Sequence, residues 1–130
     1  MGSEMCIRHR ANDLHGHIFG DYCIREFVGR LKRFCREDDI IGRLGGDEFV
    51  VFGTISDPEG ACRKAARLCQ KLDTVCEDSG SCWKMSVSVG IALAPQHGRS
   101  FAELYAKADK ALYRTKDKGK NGYTVYEEKE

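Results

Sequence analysis

Ile40-Ile41-Gly42-Arg43-Leu44-Gly45-Gly46-Asp47-Glu48-Phe49-Val50-Val51-Phe52 is the stretch on which the fold turns. Two short apolar, β-prone runs flank a Gly-Gly reversal, which predicts a β-hairpin with a tight turn. Gly45 and Gly46 leave the tip without side chains, so a large ligand can approach the backbone closely. Asp47 and Glu48 set two adjacent carboxylates there, a costly pair unless a cation or solvent compensates them. A hard divalent cation such as Mg²⁺, shared with phosphate oxygens, suits such a tip. A plain acidic turn would use the same residues, because Gly and Asp are ordinary turn formers.

Outward from the hairpin, helices and strands alternate. On the N-terminal side, Cys23, Ile24, Phe27, Val28, Leu31, Phe34 and Cys35 recur at i, i+3, i+4 and i+7, which predicts a helix over 21–36. Asp21 stands at its start, where a carboxylate suits the positive end of the helix dipole, and a simple N-cap is one reading of it. Before it, 12–21 is rich in turn formers, and Glu4 to Ala11 is short and mixed, either the end of a strand or a disordered tail. Met1-Gly2-Ser3 reads as an expression tag.

On the C-terminal side a second amphipathic helix is predicted over 58–77, with Ala61, Cys62, Ala65, Leu68, Cys69, Leu72 and Cys76 inward. Trp83 to Ala94 alternates and is β-branched, so it is a strand, and Gly90 within it marks close backbone approach or a bulge. Ser100 with Glu103 forms a capping box opening a third helix to about Lys118. Gly119 stops it, and Tyr123 to Tyr126 is a final strand. This order predicts a layered α/β or α+β domain.

The 130 residues suffice for one domain with a real core. Charged residues at 32% and hydrophobic ones at 42% describe a globular chain. A net charge of +1 gives no global field for nucleic acid or an anionic membrane, and no apolar run approaches a membrane span. The seven cysteines are odd in number and include no C-x-x-C. Cys62, Cys69 and Cys76 recur at helical core spacing, so reduced, buried thiols and a reducing cytoplasm are expected.

Arg43-Leu44-Gly45-Gly46-Asp47-Glu48-Phe49 resembles the signature of the GGDEF family, the diguanylate cyclase domains. Two further blocks support the resemblance. Asn12 to Asp21 matches N-D-x-x-G-H-x-x-G-D, and Ala108 to Tyr113 with Lys116 to Asn121 resembles A-D-x-A-L-Y…A-K-x-x-G-R-N. The resemblance runs from about Asn12 to Tyr126. It implies an α+β fold with a mostly antiparallel central sheet flanked by helices, a β-hairpin carrying the signature, and a domain over 12–130 preceded by a tag and strand remnant over 1–11.

It also implies a chemistry, the condensation of two GTP into cyclic di-GMP with Mg²⁺ or Mn²⁺. One GTP half-site sits on each monomer of a facing homodimer. Asn12 and Asp21 would read the guanine, Gly45 and Gly46 would admit the nucleotide, and Lys116 and Lys120 would hold the triphosphate. Lys120 stands where the family usually has Arg, keeping the charge without the bidentate fork. A solvated lysine-rich helix end is the plainer reading of that pair. Glu48 would hold the metal, with Asp47 as metal ligand or proton acceptor. His17 is taken as a packing or loop-fixing residue and Thr115, for a usual Ala, as neutral. Arg36-Glu37-Asp38-Asp39 reads as the R-x-x-D motif that binds cyclic di-GMP and inhibits the enzyme in many members. Arg36 would stack on guanine or pair with phosphate, Asp39 would accept from the guanine edge, and Arg67 is a weaker supporting contact.

The resemblance departs at the beginning. The family's helix with L-T-G-L-x-N-R and the strand ending D-x-D-x-F-K are missing. Counting back from Asn12 without gaps, the first metal-binding Asp falls on Glu4, the second acid on Cys6, and the Phe and Lys on Arg8 and His9. The metal site is then one strong ligand short, with Glu4 a weak substitute. The sheet is expected to lack much of a central strand, which invites pairing with another chain or a strand-exchanged dimer. Two functions follow. One is a diguanylate cyclase domain below an upstream sensor domain in a bacterial cytoplasm. The other is a catalytically weak or inactive module that senses cyclic di-GMP or GTP. An interaction domain without a ligand is the blandest reading.

Overall fold

The computed structural model describes residues 3–11, 17–45, 48–55, 57–78, 81–117 and 122–127, with side chains over 24–44, 48–55, 57–73, 86–115 and 122–127. In chain order the elements are β1 (Ser3–Ala11), α1 (His17–Phe34), β2 (Ile40–Gly45), β3 (Glu48–Ile55), α2 (Pro58–Lys71), β4 (Thr74–Asp78), β5 (Ser81–Met85), β6 (Val87–Ala94), α3 (Phe101–Asp117) and β7 (Gly122–Val125). Five strands form one sheet in the order β2-β3-β1-β6-β7, and β4-β5 form a separate pair. The β1–β3, β1–β6 and β2–β3 pairings are antiparallel, and β6–β7 is parallel.

The first strand corrects the sequence reading. Residues 3–11, read from the sequence as a tag and a strand remnant, form a nine-residue strand at the centre of the sheet. It pairs with β3 from Ser3↔Ile55 to Arg10↔Glu48 and with β6 from Glu4↔Ala94 to Ala11↔Val87. Its mixed composition carries no clean alternation. The strands on either side are long, apolar and β-branched, and their buried backbone groups require a partner. Context therefore overrides local propensity.

Alternation along β3 and β6 sorts the core into two layers. Phe49, Val51, Ile55, Val87, Val89, Ile91 and Leu93 meet Phe27 and Leu31 of α1, Ala61, Ala65 and Leu68 of α2, and Leu72 just after it. The intervening positions, Val50 and Ala92, meet Leu104 and Ala108 of α3 on the other face. Gly90 explains how α3 comes so near. A Cβ there would run into the Ala108 carbonyl and the Leu112 N and lie 2.8 Å from Leu112 Cα, so the close approach read from the sequence is present.

Element ends moved for identifiable reasons. Helix α1 starts at His17, so Asp21 lies inside the helix and is not its N-cap. Helix α2 stops at Lys71, with Leu72 as C-cap, and Cys76 belongs to β4 instead of the helix. The seven-residue cysteine spacing continued past the stop, while Thr74 and Val75 are β-branched and favour a strand. The predicted strand 83–94 is split at Ser86 into β5 and β6, which serve different sheets. The helix starts follow side-chain chemistry. Asp57 Oδ1 accepts from Gly60 N–H at 2.6 Å ahead of Pro58. At α3, Ser100 Oγ accepts from Glu103 N–H at 3.2 Å, and Glu103 Oε1 accepts from the Ser100 hydroxyl at 3.2 Å and from Arg99 N–H at 3.1 Å. The Arg99 N–H and then the Ser100 hydroxyl hold the Glu103 carboxyl below its ordinary range.

Candidate functional site

Two sites grow from the residues singled out by the sequence. The first is the end of the β2–β3 hairpin. Gly45 closes β2 and is the register partner of Glu48, which opens β3. The pairing shifts between Arg43 and Gly45, an irregularity of the kind that bends a strand and re-aims its end. Just below, Phe49 is buried with its ring centroid 5.0 Å from that of Phe27. The Arg43 guanidinium lies 5.9 Å from the Phe49 ring centroid, within cation–π range. The base of the hairpin is thus anchored in the core, while Glu48 is half-buried at its rim.

The register states which residues share this end of the sheet. Across from Glu48 on β1 stands Arg10, and across from Arg10 on β6 stands Ser88. Ala11 ends β1 there, one residue before Asn12. Glu4, by contrast, pairs with Thr54 and Ala94. It lies at the opposite end of β1, roughly 20 Å from Arg10 at about 3.3 Å per strand residue. The register does not bring Glu4 to the hairpin, because β1 runs straight on to Ala11. Asn12, Gly46, Asp47 and Lys120 lie outside the described residues, and Glu4, Asp21, Gly45 and Lys116 are placed by backbone alone. Among the described residues, no three His, Cys, Asp or Glu side chains cluster as metal ligands. For a hard cation the hairpin offers Glu48 and, next to it in sequence, Asp47. Those fit an ion that keeps waters and substrate phosphates among its ligands, as Mg²⁺ does.

The second site is a cleft beside α1 and α2, about 400 Å³ in volume. Arg36, Arg63, Lys64 and Arg67 line it, with Phe34 and Thr54 in its wall. A smaller cavity of about 280 Å³ shares Phe34 and Arg67 with it and adds Arg30, Arg33 and Lys71. Arg30 Nε is buried with no hydrogen-bond partner. The two cavities form one strongly cationic strip.

Asp39 does not face that strip. Its Oδ2 accepts from Lys64 Nζ at 2.7 Å and from the Arg36 N–H at 2.9 Å. The Asp39 N–H donates back to the Arg36 carbonyl at 3.1 Å. Asp39 is 2% exposed and Lys64 13%, so this is a buried ion pair inside a closed turn. Gly53 of β3 makes room for it, since a Cβ there would collide with Asp39 Oδ1. Arg36, Asp39 and Arg67, grouped by the sequence reading, lie in one neighbourhood, together with Lys64 and Gly53, which that reading did not single out. The only trace of Lys64 is its place one helical turn before Arg67, the i, i+3 spacing of one helix face. The Cys35 thiol next to this turn is pushed up to about 11, first by burial and then by the Asp39 charge, with Lys64 opposing. Among the described residues Cys35, Cys62 and Cys69 are free thiols, and each is half-buried instead of fully buried as the spacing predicts.

Comparison with known proteins sets these sites in a family. The family model described as "Diguanylate cyclase, GGDEF domain" matches residues 9–122. The bifunctional diguanylate cyclase/cyclic di-GMP phosphodiesterase MucR of Pseudomonas aeruginosa is 39% identical over 116 residues, covering 89% of this chain and 17% of the relative. Diguanylate cyclase DgcS of Shewanella oneidensis is 35% identical over 117 residues, covering 89% of this chain and 38% of the relative. The chain thus spans well under half the length of these curated relatives. Among solved structures, the GGDEF domain of YfiN (TpbB) from Pseudomonas aeruginosa superposes with a TM-score of 0.92 at 27% identity, over 98% of this chain and 84% of that one.

Proposed function

Because the chain belongs to the GGDEF family of diguanylate cyclase domains, we propose that it binds GTP at the β2–β3 hairpin, condenses two GTP into cyclic di-GMP, and is inhibited by that product at the α1–α2 cleft. The observation that carries the reading is the Gly45↔Glu48 pairing, which sets a bare backbone and a carboxylate together at the end of the β1–β3–β6 sheet. Asn12, next in sequence after β1, serves with Asp21 of α1 as the guanine reader. Gly45 and Gly46 let the nucleotide lie against the backbone. Lys116 and Lys120 neutralise the triphosphate.

The reaction is phosphoryl transfer, driven by positioning and charge neutralisation. The 3′-oxygen of one GTP bonds to the α-phosphorus of a second, and the bond to pyrophosphate breaks. The hydroxyl proton passes to Asp47. Repetition in the opposite sense closes the ring, so two copies of the domain face each other. Glu48 and Asp47 would hold Mg²⁺ or Mn²⁺, which neutralises phosphate charge when bound. In the cleft, the Arg36 and Arg67 guanidinium groups meet the product's phosphodiesters. The domain works as one module of a longer bacterial signalling protein, in the cytoplasm and below a sensor domain. Among the described residues no helix is long and apolar enough to cross a membrane.

One observation favours the second reading, a catalytically weak or inactive module that binds cyclic di-GMP or GTP. Arg10, a cation, is the β1 partner of Glu48, and Glu4 is at the far end of the strand. Incubation with GTP and Mg²⁺, followed by chromatography and mass analysis, separates the two. The cyclase reading expects cyclic di-GMP from the parent chain and none from Glu48→Ala. A folded parent that binds cyclic di-GMP yet makes none establishes the sensor.

A further inference from the structure

We propose that β2 is a self-association edge, along which a second copy of this chain pairs antiparallel about a two-fold axis at Gly42.

β2 is the outermost strand of the five-stranded sheet, and among the described residues β3 is its strand neighbour on one side only. An edge strand presents backbone donors and acceptors to whatever lies alongside, and proteins blunt such edges with Lys, Pro or very short strands. β2 runs for six residues, Ile40-Ile41-Gly42-Arg43-Leu44-Gly45, with neither Lys nor Pro. Its one charged side chain, Arg43, lies over the Phe49 ring of its own protomer. At the other edge β7 has only four residues.

Side-chain exposure points to what would cover this edge. Ile40 is 66% exposed and Leu44 41%. Ile40 and Gly42 are the register partners of Phe52 and Val50. Alternation therefore puts them, and Leu44 two positions on, on the α3 side of the sheet. Apolar surface continues there. The Phe52 and Phe101 ring centroids are 6.3 Å apart, and Phe101, itself half-exposed, stacks on Tyr105 at 5.9 Å.

The spacing selects the partner. A two-fold at Gly42 sets Ile40 opposite Leu44 of the second copy and Leu44 opposite its Ile40. Each exposed apolar residue of the edge covers the other, twice over. At the axis two glycines meet. A foreign strand would have to supply the same apolar, glycine, apolar spacing, whereas a second copy supplies it by symmetry. The contact is small. One strand and its flanking patch fall below the roughly 1,200 Å² of a standard interface, so the dimer exchanges readily, with a Kd on the order of 100 µM. Antiparallel pairing points the two hairpin ends in opposite directions. This dimer is therefore not the facing pair that condensation of two GTP requires, and it stands independently of that reading.

The test is sedimentation velocity on the folded chain, without nucleotide or metal, from about 10 µM to about 1 mM, a tenfold span on either side of that Kd. The expected result is a shift from monomer to dimer across the range. Ile40→Lys should weaken the dimer at least tenfold, because both copies then carry a charge into the contact. Ile40 is mostly exposed, so this variant is expected to fold, as circular dichroism checks. A monomer throughout, or a dimer that Ile40→Lys leaves unmoved, overturns the proposal. Cysteine trapping reads the register. Facing residues of an antiparallel pair have Cα atoms about 4.5–5.5 Å apart, within disulfide reach. A chain carrying both Ile40→Cys and Leu44→Cys should form linked dimers under mild oxidation, beyond the background of the parent's seven cysteines. Either single variant should not, since each residue lies about 14 Å from its own symmetry mate. No trapping in the double variant, or equal trapping in the single ones, overturns the Gly42 axis and with it the proposal.

Discussion

The hairpin end and the α1–α2 cleft differ in what balances their charge. The hairpin removes side chains and concentrates negative charge, with Gly45 against Glu48 and Asp47 next in sequence. It needs cations to become a phosphate site. The cleft gathers Arg36, Arg63, Lys64 and Arg67, and the buried Asp39 carboxylate behind it is paired with Lys64. The hairpin needs added cations for charge balance, whereas the cleft depends on its own turn, on Asp39 and on Gly53.

That contrast can be broken at either end. The largest effect is expected from Glu48→Ala. Product formation should fall by more than about a hundredfold, since disturbing even the partners of a metal ligand costs about 10–100-fold. Dinucleotide affinity at the cleft should not change, and a parallel loss of both in calorimetry would mean that the sites are coupled. Gly53→Val comes next. The new side chain drives Asp39 off Lys64, combining overpacking with a broken buried ion pair, for a loss of about 3 kcal/mol or more in urea denaturation. A loss below 1 kcal/mol would mean that the turn yields easily and that Asp39 can swing out.

Arg67→Ala should cost about tenfold in cyclic di-GMP affinity and flatten its salt dependence, with stability unchanged to within about 0.5 kcal/mol. The smallest effect concerns the thiols behind the cleft. Burial pushes Cys69 up to about 11, with the Asp73 charge adding to it, and Cys35 to about 11. The folded state keeps these protons longer than the unfolded one, whose thiols titrate near 9.0. The stabilisation is complete below pH 9 and is lost as pH rises through 11. The urea midpoint should fall across that window, and less so in Cys69→Ala.

Thr115 shows why some of the architecture was not legible. As a residue in a lysine-rich helix it looks neutral. Its buried hydroxyl lies 2.9 Å from the Val89 carbonyl, 3.2 Å from the Ala111 carbonyl and 2.7 Å from Thr124 Oγ1. It ties α3 to β6 and β7, three elements that no local pattern connects. Gly90 was legible because its absent side chain interrupts an otherwise apolar strand. Ser100 and Glu103 were legible because a cap is made within four residues. Lys64 was not, since its partner is 25 positions away.

The sequence by itself determined the signature hairpin and three helices, which rest on local spacing, where contacts repeat every two, three or four residues. Its resemblance to the family, carried by whole motifs, grouped Arg36, Asp39 and Arg67. The tertiary structure decided what spacing cannot encode. It made residues 3–11 a central strand because two apolar neighbours needed a hydrogen-bonded partner between them. It set Arg10 beside Glu48 through that strand's register. It turned Asp39 inward, where a buried carboxylate requires a cation, and paired it with Lys64.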